Sequence, residues 1–172
     1  MNKETLRMAS ENLGIKMVYL HSTETKLLND FNPLIPNQRL QGQFRTNTIK
    51  VEVEDATDEN EETQRVVRFY VEANMRYVLT SLIEDAQKGE DISSEKLASS
   101  IKAVFVAEYL VINDKDIPKK ALTEFGNHNA VHNVWPYWRE YCQSTCSRMA
   151  LPVIVIPLLR MPSDDEPEKS KD

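Results

Sequence analysis

Asn133-Val134-Trp135-Pro136-Tyr137-Trp138-Arg139-Glu140-Tyr141-Cys142, then Ser147-Arg148-Met149-Ala150-Leu151-Pro152 and the aliphatic run Val153-Ile154-Val155-Ile156-Pro157-Leu158-Leu159, is the stretch whose reading decides the fold. Side chains at 134, 135, 138, 141, 142, 145 and 149 recur at the three-and-four spacing of a buried helical stripe, and Arg139, Glu140, Gln143 and Ser147 fall on the other side. Asn133 is the expected N-cap, Pro136 belongs in the first turn, where a missing N–H costs nothing, and Pro152 is expected to end the element. At about 100° per residue, Trp135, Tyr137, Trp138 and Tyr141 cannot all face one sheet, and Tyr137 points away from the stripe. An aromatic side chain buries roughly 150–250 Å², so these four residues predict an oligomer interface on the helix as well as a core contact.

Upstream the periodicity changes to that of strands. Residues 1–14 carry Leu6, Ala9 and Leu13 at helical spacing with Gly14 placed to end a short N-terminal helix or arm. The first strand is expected over 15–28, followed by a Pro-rich connection, 29–37, that leaves Leu34 and Ile35 on a loop. The second, about 39–54, slips phase: Leu40, Gly42 and Phe44 are even, Ile49, Val51 and Val53 odd, which swaps faces unless a bulge intervenes. Glu52 to Glu62 holds seven acids and no base and reads as a solvated hairpin tip. The third strand alternates most clearly, with Val67, Phe69, Val71, Ala73, Met75, Tyr77 and Leu79 on one face. Ser81–Ser100 is expected to be a polar connection with a helical turn or two, and 101–112 a fourth strand covered on both faces. Asp116-Ile117-Pro118 opens a short helix that Gly126 should stop. Four strands followed by helices, without β-α alternation, predict an α+β domain: a four-stranded antiparallel sheet with one long C-terminal helix packed on it. The domain spans 15–160, and 161–172 is expected to be a disordered acidic tail.

One domain is the natural prior for 172 residues. A net charge of −6 and a pI near 5.2 argue against nucleic acid or an anionic membrane surface as partner. Cysteine is limited to two residues, and no apolar run approaches 18 residues, so a reduced, cytoplasmic protein without membrane insertion is expected.

Chemistry is weakly signalled. His128-x3-His132 and Cys142-x3-Cys146 are the right ligand types for zinc, but on a helix starting near Asn133 the cysteines lie roughly 15 Å from His132, so apolar-face thiols are the simpler reading and no metal is expected. The same distance weakens a Cys-His nucleophilic pair. No Gly-rich phosphate loop, G-x-S-x-G elbow or H-E-x-x-H is present, so neither an enzyme nor a cofactor is implied. Leu34, Ile35, Leu40, Phe44 and the 153–159 run are instead more apolar surface than one sheet-helix core requires; they either finish the core or line an exposed groove.

Val-Trp-Pro-Tyr-x-Arg-Glu at 134–140, with Ser147-Arg148 and Leu151-Pro152 after it, resembles the helix of SecB, the export chaperone, and the strand order extends the likeness over about 12–160. The resemblance implies an ATP-independent holdase, without cofactor, that binds unfolded or partly folded polypeptides and assembles as a homotetramer, a dimer of dimers. It implies a client groove lined by Leu34, Ile35, Leu40, Phe44, Val153, Val155, Leu158 and Leu159, and it places Val106 and Glu108 towards a partner such as SecA. The family's SecA-facing acids on strand one have no clear counterpart in His21-Ser22-Thr23-Glu24-Thr25-Lys26. SecB-like chaperones also serve toxin-antitoxin pairs by holding the antitoxin, which is the alternative reading.

Overall fold

The structure, a computed structural model, describes residues 3–57, 63–79, 97–113 and 116–159. Helix α1 (Lys3–Asn12) leads directly into β1 (Leu13–Leu27), followed by β2 (Leu40–Thr57), β3 (Thr63–Leu79) and β4 (Leu97–Val111). All neighbours are antiparallel in the order β1-β4-β3-β2, so β4 and β3 are central and the 28–39 connection crosses the sheet end from one edge to the other. Helix α2 (Lys119–Phe125), a π turn (Gly126–Ala130) and α3 (Val131–Arg148) then form one helical run over the sheet. The α+β class and the four-stranded antiparallel sheet under a long helix are those the sequence predicts.

The core lies between this helical run and one face of the sheet. Val67, Phe69, Val71, Ala73, Met75 and Tyr77 of β3 are buried, as the alternation predicts, against Ile101, Ala103, Phe105, Ala107 and Tyr109 of β4. From α3 come Val131, Val134, Trp138, Cys142, Thr145 and Cys146, with Trp138 wholly enclosed. The phase slip in β2 is resolved by a bulge between Thr48 and Lys50: the pairings Leu40↔Leu79, Phe44↔Met75, Val51↔Phe69 and Val53↔Val67 put all four residues on the core face. Leu40 and Phe44 are therefore in phase with the strand and half-buried against the core.

Several sequence expectations are corrected. Gly126 does not stop a helix: its φ of −57° and ψ of −48° are helical, and a Cβ there would sit 2.9 Å from Phe69 Cδ1, so close packing of the helix on β3 is what the glycine serves. Asn133 is accordingly not an N-cap; mid-helix, it donates from Nδ2 to Tyr109 Oη at 2.8 Å, and Pro136 lies inside the helix. Gly14 belongs to β1 and not to the end of α1, while Leu97 and Ala98, expected in a connection, begin β4. Of the acidic run, Glu52, Glu54 and Asp55 lie on β2 and pair with Lys50, Arg68 and Arg65. Residues 58–62, the helical turns expected within 80–96 and the tail from 160 lie outside the described residues.

The other face of the sheet carries no helix among the described residues, and an ion ladder crosses it instead. Lys16 on β1 meets Glu108 on β4 at 3.0 Å, Glu108 meets Arg68 on β3 at 2.6 Å, and Arg68 reaches Glu54 on β2. Burial alone would push the Glu108 carboxyl up, but the bonds from Arg68 and Lys16 outweigh it and hold the group below its ordinary 4.5. A depressed carboxyl contributes stability that is present above its unfolded value and lost as pH falls through its folded one. Glu108→Gln should therefore flatten the fall in thermal midpoint as pH drops below 4.5; a variant as acid-sensitive as wild type would remove the ladder from the stability balance.

Candidate peptide-binding groove

The site begins where α3 ends. Met149 closes the helix, Ala150 turns left-handed at φ 54°, and the Ala150 and Leu151 N–H groups donate to the carbonyls of Ser147 (3.3 Å) and Cys146 (2.9 Å). This is a Schellman stop, and it, rather than Pro152, ends the helix; the proline only follows it. The usual residue at such a position is glycine, and the reversal it makes sends 152–159 back along the helix that precedes it.

That returning segment is extended, with Ile156 fully buried, Ile154 half-buried and Val153 and Val155 pointing out. Four side chains hold its backbone: Tyr77 Oη donates to the Pro152 carbonyl, Arg139 Nε to that of Ile156 at 2.9 Å and Trp135 Nε1 to that of Pro157 at 2.8 Å, while the Cys146 sulfur accepts from the Ile154 N–H. Each such bond contributes about 0.5–1.5 kcal/mol net. On the sheet side Ile154 Cδ1 rests where a Cβ of Gly42 would be, so β2 approaches the strap closely because it carries a glycine there. Pro152 and Pro157 lack an N–H, which keeps this strand-like composition from adding to β2 as a fifth strand.

The residues the sequence assigned to client contact are divided among the strap, the 28–39 connection and the start of β2. Leu34 is 79% exposed and Val155 80%, and Ile35, Val153 and Leu158 are also exposed; Leu40, Phe44 and Leu159 pack partly into the core. Leu34 and Ile35 are held in their turn by the Leu34 N–H bond to Asn32 Oδ1 (2.9 Å) and by Gln38 Nε2 donating to the carbonyls of Asn32 and Ile35. Tyr77, Arg139, Ile154, Ile156 and Gly42 were missed by the sequence reading. The available signals were a tyrosine hydroxyl on an otherwise non-polar core face and a glycine inside a strand, which marks close approach of another backbone.

The remaining expected sites are placed as follows. Among the aromatics of α3, Trp138 is buried and stacks on Tyr141, whose hydroxyl bonds to Thr23 on β1; Trp135 leans on the strap, and Tyr137 stands half in solvent. Val106 is buried between Tyr19 and Tyr70 of the neighbouring strands, and Glu108 is 5% exposed and already bonded to Arg68 and Lys16. Among the described residues no group of three His, Cys, Asp or Glu side chains is placed to hold a metal. Cys142 and Cys146 are free thiols on the buried face of α3, and the bond between them together with burial pushes the Cys142 thiol well up, the state of an inert core cysteine. No helix of the described residues is long and apolar enough to cross a membrane.

A four-stranded antiparallel sheet under a long C-terminal helix is the SecB-like fold, and this chain has it. The solved structure of the Mycobacterium tuberculosis SecB-like chaperone Rv1957, in complex with a ChAD peptide from the Rv1956 HigA1 antitoxin, matches 94% of this chain and 100% of that chain at a TM-score of 0.63 and 17% identity. No protein-family profile and no curated protein matches the sequence.

The two classes of groove residue separate by stability. Phe44→Asp places a charge against the core and should cost roughly 2 kcal/mol or more, whereas Val155→Asp should stay within about 0.5 kcal/mol of wild type in urea unfolding. Equal losses would place Val155 in the core.

Proposed function

We propose that the chain is an ATP-independent chaperone that holds unfolded or partly folded polypeptides in the groove between α3, the 152–159 strap, the 28–39 connection and β2. The observation that carries this reading is the exposure of aliphatic side chains on two irregular segments, Leu34 and Ile35 on the 28–39 connection and Val153, Val155 and Leu158 on the strap, in a fold shared with a peptide-bound chaperone. Apolar surface of this extent on a chain of net charge −6 suits segments that have lost their own core, and no chemical step is assigned to it.

A dedicated partner, such as an antitoxin, is the second reading, because the peptide held by the Mycobacterium tuberculosis neighbour comes from one. It is favoured over delivery to SecA, since Val106 is buried and the Glu108 charge is already met by Arg68 and Lys16. The proposed assembly is a cytoplasmic homotetramer in which Tyr137 and the exposed part of Trp135 meet a second sheet-helix layer.

Dilution of a chemically unfolded client into a several-fold excess of the chain should suppress light scattering, and Leu34→Asp and Val155→Asp should each weaken capture several-fold with an unchanged circular-dichroism spectrum. Aggregation that proceeds as in buffer would contradict the reading, and copurification of one partner instead of many would select the dedicated form. Sedimentation of the same samples should give a tetramer that Tyr137→Asp reduces to a folded dimer; a monomeric wild type would remove the helix interface.

A further inference from the structure

From the strap's attachment we infer that residues 152–157 occupy, in the resting chain, a site for an extended segment of another polypeptide bearing two aliphatic side chains two residues apart, and that the incoming segment takes the strap's place. This rests on the chaperone reading and names both the ligand class of the groove and the intramolecular competitor that regulates it.

Four observations carry it. Tyr77, Trp135 and Arg139 donate to three carbonyl oxygens of the strap, Pro152, Pro157 and Ile156, and a carbonyl is common to every peptide whatever its side chains. The side-chain component of the site is equally generic: Ile154 and Ile156, alternate residues of an extended chain, enter it, with the missing Cβ of Gly42 making room for the first. Beyond Leu151, no backbone–backbone hydrogen bond ties the strap to the fold among the described residues, and its two prolines keep it from pairing with β2. Finally, Val153, Val155 and Pro157 are exposed while Ile154 and Ile156 point in, so over 153–157 the seated strap buries only alternate residues, as any extended occupant would.

Displacement is a near-balanced exchange, because the incoming segment remakes the bonds that the strap gives up. A segment that also runs on to Leu34 and Ile35 gains apolar contact the strap does not supply. Affinity for a short peptide is therefore reduced by the fraction of chains whose strap is out, and release of the strap removes that reduction.

The test uses the full chain carrying Gly42→Cys and Ile154→Cys, which face each other across the groove, and a fluorescein-labelled peptide Lys-Lys-Val-Ile-Val-Ile-Pro-Leu-Lys-Lys read by anisotropy. A bond from the new thiol at 154 to Cys146 would lock the strap equally well. The reduced protein should bind the peptide at least tenfold more tightly than the oxidised one, and reduction should restore binding. A second variant, Ile156→Ser, weakens the strap without a cross-link and should bind the peptide at least fivefold more tightly than wild type. Equal affinity of the oxidised and reduced forms, or no gain with Ile156→Ser, overturns the inference. Light scattering separates this from the chaperone reading: if both redox forms hold unfolded clients equally, the reading stands and the strap inference fails. If wild type holds no client while the redox difference in peptide binding appears, the groove remains a peptide site and the chaperone reading falls.

Discussion

The helical run 119–148, joined by α1, has to cover the apolar face of a sheet four strands wide. With strands about 4.8 Å apart and a helix about 10–12 Å across with its side chains, α3 over β4 and β3 leaves the margin above β2 uncovered. The strap fills that margin at Gly42 with irregular backbone, and the π turn meets β2 farther along, at Thr48. Ile154, Ile156, Leu159 and Phe31 supply inward aliphatic or aromatic packing there, while Leu34, Val153, Val155 and Leu158 remain outside. The groove thus follows from the geometry of covering a wide sheet with a narrow layer.

The same economy governs the opposite face. With no layer there among the described residues, Val104 and Val106 are shielded by neighbouring side chains, and the Lys16–Glu108–Arg68–Glu54 ladder gives the face a charged surface spanning all four strands. Lys102–Glu72 and Lys50–Glu52, with Tyr70 donating to Glu52, extend the pattern. A surface whose charges are already paired offers little to a partner that seeks free acid groups, whereas the strap and the 28–39 connection expose aliphatic side chains among the described residues.

Much of the fold was legible because strands announce themselves by alternation: β3 reads correctly at the odd positions from Val67 to Tyr77, after which a register shift leaves Val78 buried and Leu79 half-buried, and the slip in β2 foretold the bulge that the pairing shows between Thr48 and Lys50. The resemblance in 134–152 added the helix-on-sheet arrangement. What misled were residues whose usual punctuation was overridden by packing. Gly126 is helical because Phe69 lies against it, and Asn133 spends its side chain on the buried Tyr109 hydroxyl, whose pKa burial pushes up to about 12. Ala150 holds the left-handed turn where sequence rules ask for glycine, so the reversal that creates the strap carried no local signal. For the strap, exposed aliphatics were legible as surplus, but the carbonyl-holding set of Tyr77, Trp135 and Arg139 was not, because Tyr77 lies far in sequence from the Trp135–Arg139 helical turn and the two meet only through the returning chain.

The central claim is that polypeptide is held at the groove end of the sheet, on the helix-covered face. Backbone hydrogen exchange with and without a saturating unfolded client measures this most directly. The account predicts altered exchange in 28–44, 135–141 and 152–159, with the ladder positions of β1 and β4, around Lys16 and Glu108, unchanged. Protection centred on the ladder face, with the groove segments unaffected, would contradict it.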